Sequence, residues 1–200
     1  MDLVVLLFHE FETLDAFGPV EIFGKLKEIT KIWFVSMHGG LIVSSQQVSV
    51  MSEDLHSLPL KPGYILLIPG GAGTRKEISN LEFLSEIKKL AADAGFILSV
   101  CTGSLLLAKT GLLDSKRATT NKRVYNWVTQ QAERVQWVQK ARWVRDGNIY
   151  TSSGVSAGMD MAQGFIADNF GIEVARKIAN GIEYIWNSNS EEDRFAELYL

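Results

Sequence analysis

The one cysteine of the chain, Cys101, stands where the apolar run Phe96-Ile97-Leu98-Ser99-Val100 gives way to Thr102-Gly103-Ser104 and then to Leu105-Leu106-Leu107-Ala108. That pattern reads strand, sharp turn, helix. A thiol at such a junction faces the free N–H groups and positive dipole end of the following helix, which favour thiolate over thiol and make the sulfur a nucleophile. The competing reading is a small buried hydrophobe, which is what a free cysteine usually is. Gly103, two residues on, suits the tight turn that the chemical reading needs.

Three further segments gain meaning around that sulfur. Ile68-Pro69-Gly70-Gly71-Ala72-Gly73 closes another apolar run, and paired glycines let backbone N–H groups approach a ligand closely. Gly70 and Gly71 are expected to line an oxyanion hole with the amide of Thr102, against the plainer reading of a glycine-rich turn. In Leu14-Asp15-Ala16-Phe17-Gly18-Pro19-Val20-Glu21, the carboxyl of Asp15 lies among apolar neighbours. Partial burial would let it keep a proton for donation, or it could simply cap a helix. Glu21 reads as structural, a favourable charge in the first turn after Pro19. Thr151 to Gly158 is a run of small residues that ends a strand and opens a helix. Its hydroxyls and Gly154 could orient a substrate or the cysteine, and a Ser/Gly cap explains them almost as well.

The elements that must hold these segments follow from hydrophobic patterning. Leu3 to Phe8, Ile32 to Val35, Tyr64 to Ile68 and Phe96 to Val100 are unbroken apolar runs of strand length, as expected of strands buried on both faces. Asn80 to Ala94 is amphipathic, with Leu81, Leu84, Ile87, Leu90 and Ala91 at helical spacing and Glu82, Glu86, Lys88 and Lys89 outward. Asn80 is its expected N-cap and Gly95 its stop. Alternating β and α elements predict an α/β fold in which helices cover a mainly parallel sheet, with function gathered at the carboxyl ends of the strands. Leu41 to Met51 and Val135 to Tyr150, the latter turning at Asp146-Gly147, read as antiparallel hairpins added at an edge. Ser156 to Phe170 and Glu173 to Trp186 are the expected final helices, and the polar tail after Asn187 is expected to dock loosely.

Composition excludes several classes. The 200 residues are 46% hydrophobic with a formal net charge of -3 and no block of lysine or arginine, so nucleic acid and anionic membrane are disfavoured as partners. A small molecule fits better. No stretch reaches the roughly eighteen apolar residues of a membrane span, and Met1-Asp2 leads straight into a strand, so a cytoplasmic protein is expected. One cysteine and no Cys/His cluster predict neither disulfide, metal nor cofactor. Without repeat or linker, residues 1–200 read as one domain.

Taken together, LDAFGPVEIFG (Leu14 to Gly24), IPGGAG (Ile68 to Gly73), VCTGSLLLAKTGLLDSKRATTN (Val100 to Asn121) and GNIYTSSGVSAGMDMAQGFIADNFG (Gly147 to Gly171) resemble the ThiJ/PfpI superfamily. The nearest branch holds isonitrile hydratases and the amidotransferase-like sensor domains of AraC-type regulators. The resemblance implies a flavodoxin-like three-layer sandwich with Cys101 on a strained nucleophile elbow, and commonly a homodimer with the Phe8 to Phe23 region at the contact. It also implies that Cys101 attacks the terminal carbon of a small isonitrile, with Asp15 as acid/base and Thr102 required, and that water then yields an N-substituted formamide.

Two departures bear on that expectation. Many relatives carry a histidine after the elbow helix, where this chain has Asn121, so amidase or glyoxalase-like chemistry is disfavoured while hydration with a carboxylic acid tolerates the change. His9, His38 and His56 are expected to be ordinary surface residues. AraC-type relatives append a helix-turn-helix region, and none follows Leu200 in this sequence. The alternative to an enzyme is a small-molecule or redox-sensing module that uses Cys101 as detector. Trp127, Trp137, Trp143 or Phe17 are expected as pocket walls.

Overall fold

Strands β1 (Asp2–Leu6), β2 (Lys31–Ser36), β5 (Ile65–Ile68) and β6 (Phe96–Ser99) arise from the four apolar runs, and β3 (Gly40–Val43) and β4 (Ser49–Asp54) from the expected edge hairpin. They are joined by β7 (Arg117–Ala118), β8 (Gln136–Trp137), β9 (Trp143–Asp146) and β10 (Ile149–Ser152). The structure is a computed structural model and describes residues 1–199. Eight strands form one sheet in the order β3-β4-β2-β1-β5-β6-β10-β9. All neighbours are parallel except the outermost pairs, β3 with β4 and β9 with β10. Register brings Val4 beside Trp33 and Leu66, and Leu66 in turn beside Ile97. Because β1 and β5 are covered on both faces, Leu3 to Leu7 and Ile65 to Ile68 are fully buried.

Helices α1 (Thr13–Phe23), α2 (Thr74–Glu77), α3 (Leu81–Asp93), α4 (Gly103–Lys109), α5 (Tyr125–Thr129), α6 (Ala157–Phe170) and α7 (Ile172–Gly181) complete the fold. α6 packs on α1 and α7, whereas α4 packs on α2 and α3, so two helical layers flank the sheet. The α3 helix starts as its sequence dictates: the Asn80 side chain accepts from Phe83 N at 3.1 Å, a cap that contributes about 1 kcal/mol. Phe83, Leu84, Ile87, Leu90 and Ala91 turn inward, each large side chain worth roughly 1.5–3 kcal/mol of burial, whereas Leu81, expected on that face, is exposed at the helix start and Phe83 takes its place in the core.

Tertiary packing overrides the sequence pattern at five places. Glu86, expected outward, is buried, and Lys89 Nζ reaches it at 2.7 Å. Pro19 lies inside α1 instead of opening it, so Glu21 is near the helix end, where Lys25 pairs with it at 3.0 Å on the surface. β10 is an inner strand between β6 and β9, and only β9 is the edge addition of that hairpin, while Gln136–Trp137 pairs separately with β7. α7 stops at Gly181, before Trp186, because Trp186 Nε1 and Asn187 N both donate to Asp160 and draw the chain off the helix axis. The tail after Asn187 does not dock loosely: Asp193 is 3% exposed, Arg142 N donates to Ser190 O at 2.8 Å, and residues 194–199 form a 3₁₀ helix.

Candidate active site

The carboxyl ends of β1, β5, β6 and β10, four neighbours in the sheet, release the four segments singled out by sequence. At the end of β6 the chain reverses into α4 through Cys101, whose φ of +56° lies in the left-handed region. A non-glycine residue there costs of order 1–3 kcal/mol and persists only when its surroundings fix it. Here they do. Cys101 N donates to Ser153 O at 3.0 Å, and Cys101 O accepts from Ser104 Oγ at 2.9 Å and Thr120 Oγ1 at 3.0 Å.

Asp15, in the first turn of α1, is completely buried. The chain carries it there by pairing the segment before α1 with the glycine loop: Phe11 bridges Gly71, and Glu12 N donates to Gly70 O at 2.8 Å. Gly71 has φ +130°, and a Cβ there would collide with the backbone of Glu10, Phe11 and Glu12. The carboxyl turns away from a capping role. Its Oδ2 accepts from Gly70 N at 2.9 Å, while Oδ1 is buried without a well-formed hydrogen bond. Burial pushes the Asp15 pKa up to about 8, opposed by the Gly70 N–H, helped by the charge of Glu12, and opposed again by the neighbouring Cys101 thiol. At neutral pH this carboxyl therefore holds its proton.

Cys101 is 5% exposed, and its state differs from the expected thiolate. Burial raises its pKa above that of a free thiol, and negative charge on Asp15 raises it further. Hydrogen bonds from the Asn121 side chain and the Thr102 amide and hydroxyl act the other way without prevailing. The dipole of the seven-residue α4 does not offset the loss of water around a sulfur anion. Cys101 and Asp15 thus form a close, largely protonated pair.

Asn121 is the group that sequence reasoning undervalued. Its Nδ2 donates to Cys101 Sγ at 3.0 Å, and its Oδ1 accepts from Arg123 N at 2.9 Å, which fixes the orientation of the amide. Gly154 leaves room for it, since a Cβ there would lie 3.0 Å from Asn121 Nδ2. Thr102 is a positioning residue in this geometry: its hydroxyl accepts from Gly71 N at 3.1 Å and pairs with Thr74 Oγ1 at 3.0 Å, tying the elbow to the glycine loop. The amides of Gly70 and Gly71 are consequently committed to Asp15 and Thr102. The donors directed at the sulfur are Asn121 Nδ2 and the Thr102 amide and hydroxyl.

Cys101 opens into a cavity of about 350 Å³ lined by Glu12, Asn121, Arg123, Gly154, Phe195 and Tyr199 among others. The aromatic walls come from the C-terminal tail, not from the residues expected. Trp127 stacks under Arg75, Trp137 Nε1 donates to Ala132 O, Trp143 packs on Gly164, and Phe17 stacks on Phe11 and Phe34. Nothing in the tail's polar composition signals this; Phe195 and Tyr199 are its only aromatic residues. His9, His38 and His56 are exposed and do not line this cavity. Among the described residues, no three His, Cys, Asp or Glu side chains are grouped to hold a metal ion, and no helix is long and apolar enough to cross a membrane.

The sequence model of the DJ-1/PfpI family matches residues 1–168. The chain is 34% identical over 189 residues to isonitrile hydratase of Pseudomonas putida, covering 90% of this chain and 76% of that protein. It is 26% identical over 167 residues to the HTH-type transcriptional regulator CdhR of Pseudomonas aeruginosa, covering 83% of this chain but 49% of that one. Among solved structures, a ThiJ/PfpI family protein from Pseudomonas syringae superposes with a TM-score of 0.81 at 27% identity, covering 92% of this chain and 74% of that chain.

Proposed function

The chain belongs to the DJ-1/PfpI family, and from that premise we propose that it is a cysteine-dependent hydro-lyase that hydrates a small isonitrile to an N-substituted formamide. The observation that carries the reading is the pair at the cavity floor: a strained Cys101 beside a carboxyl that keeps its proton until about pH 8. An isonitrile carbon needs both a soft nucleophile and a proton, and this pair offers the two together.

The steps balance as follows. Sulfur bonds to the terminal carbon as the Asp15 carboxyl protonates that carbon, and the thiol proton restores the carboxyl, leaving a covalent thioimidate, R–N=CH–S. Asp15 Oδ1 suits this transfer because Oδ2 is engaged by Gly70 N. Water then adds to the same carbon while a proton passes to nitrogen. Collapse of the adduct breaks the C–S bond, returns the hydroxyl proton to sulfur through Asp15, and releases R–NH–CHO. Asn121 Nδ2 steadies the sulfur as charge develops and disperses on it.

The raised thiol pKa and low exposure of Cys101 favour this reading over a redox detector, whose sulfur works as an accessible thiolate. Asn121 at the sulfur, in place of an imidazole base, favours it over amidase or glyoxalase-like chemistry. As part of the same reading we infer a cytoplasmic homodimer. Leu14, 40% exposed within the Phe8 to Phe23 region, and the cross-strand pair Leu41 and Met51 of the edge hairpin leave apolar surface uncovered, and light scattering of the purified protein tests that state. The decisive assay follows formamide production from several isonitriles by wild type, Cys101→Ala and Asp15→Asn. Turnover abolished by both changes supports the hydratase; no turnover by wild type on any isonitrile ends it.

A further inference from the structure

The tail that walls the cavity carries a buried carboxylate with half of its hydrogen-bonding capacity unused. Asp193 is 3% exposed and lines the Cys101 cavity. Its Oδ1 accepts from Phe195 N at 3.0 Å and from Arg142 Nη1 at 3.5 Å, whereas Oδ2 is buried with no hydrogen-bond partner among the described residues. Arg142 and Lys122 direct their remaining protons elsewhere, and Arg123, which also lines the cavity, makes no ion pair with Asp193 among the described residues. Arg142 Nε donates to Asp160 Oδ2 at 2.6 Å and Nη2 to Ser156 Oγ at 3.4 Å. Lys122 Nζ, the other cation within electrostatic reach, directs its protons to Thr119 Oγ1 at 2.6 Å, Ala141 O at 2.7 Å and Thr120 O at 3.4 Å.

We propose that the C-terminal segment forms the substituent-binding half of the site, in which Asp193 Oδ2 accepts a hydrogen bond from a neutral donor, a hydroxyl or amide N–H, on the substituent of the substrate. A neutral donor fits because the carboxylates around the cavity, Glu12, Asp193 and the adjoining Asp160, are matched in number by the cations Arg123, Lys122 and Arg142. A cationic substituent would therefore meet no net negative charge. Phe195 and Tyr199 supply the apolar flanks, so the ligand class is a small isonitrile with a short apolar arm ending in a donor. This subsite deepens the hydratase reading and rests on it.

The test compares two isonitriles that differ only in a terminal hydroxyl replaced by methyl. Wild type is expected to prefer the hydroxylated substrate by about tenfold or more in kcat/KM, because only that partner satisfies the buried oxygen. Asp193→Leu keeps the approximate volume but leaves no group at this position to pair with the hydroxyl, as donor or acceptor, and is expected to erase the preference. Equal kcat/KM for the pair in wild type overturns the subsite without any variant, as does a preference that survives in a folded Asp193→Leu. To separate this from failure of the reaction itself, the two matching formamides are titrated into Cys101→Ala by calorimetry. Tighter binding of the hydroxylated formamide, lost in Cys101→Ala/Asp193→Leu, sustains the subsite even if no isonitrile is turned over; equal binding overturns it.

Discussion

Asp15 and Asp160 are both buried carboxylates near the carboxyl end of the sheet, and they answer the loss of water in opposite ways. Asp160 gathers partners: Arg142 Nε at 2.6 Å, Tyr184 OH at 2.8 Å and Asn187 N at 3.0 Å. Asp15 has one N–H at 2.9 Å and no cation, so it keeps its proton instead. The first arrangement anchors the tail, since a paired charge resists rearrangement; the second leaves a proton-bearing carboxyl beside Cys101. Burial alone does not say what a carboxyl is for, and the count of its partners does.

The largest expected effect breaks the chemical half of that contrast. Asp15→Asn preserves an acceptor for Gly70 N yet removes the mobile proton, so isonitrile turnover is expected to fall by about 10²- to 10⁴-fold, read as formamide formation under saturating substrate. Its stability should match wild type only below about pH 4, where the carboxyl is neutral in both the folded and the unfolded chain, and should exceed wild type at pH 6, where only the folded carboxyl keeps its proton. Arg142→Met does the reverse. It strands Asp160 and Asp193 without their cation, and urea unfolding should show a loss of about 3–5 kcal/mol.

A pH series sharpens the comparison. The Asp15 pKa is raised in the folded protein, so its contribution to stability is full below the unfolded value near 3.8 and is lost as pH rises through about 8. The melting temperature of wild type relative to Asp15→Asn should therefore decline over that window, and turnover should fall on the same alkaline limb. Constancy of both from pH 5 to pH 9 would remove the protonated carboxyl from the account. Smaller still, Asn121→Ala deletes one hydrogen bond to sulfur and is expected to lower kcat about 2- to 10-fold while raising the thiol pKa, followed by alkylation rate against pH. Smallest is Glu21→Gln, which breaks an exposed pair and should move unfolding by no more than about 0.5 kcal/mol.

How far the site was legible in sequence depended on the range of the forces involved. The elbow was legible because strand, turn and helix are each local patterns, and the placing of Asp15 beside it followed from the rule that parallel sheets collect loops at one end. The protonation of Cys101 was not, since local helix polarity predicted a thiolate and only packed neighbours show how much water is lost. Nor were the committed amides of Gly70 and Gly71, whose partners lie 55 and 31 residues away in the chain.

The sequence by itself determined the inner strands β1, β2, β5 and β6, the cap at Asn80 and the strand–turn–helix junction at Cys101, because period, turn chemistry and buried apolar runs act between near neighbours. Tertiary structure alone decided that a polar tail walls the cavity, that Asn121 touches the sulfur, and that one buried aspartate is paired while the other holds its proton. Those outcomes turn on desolvation and on partners brought from distant parts of the chain, quantities that have no value until the molecule is folded.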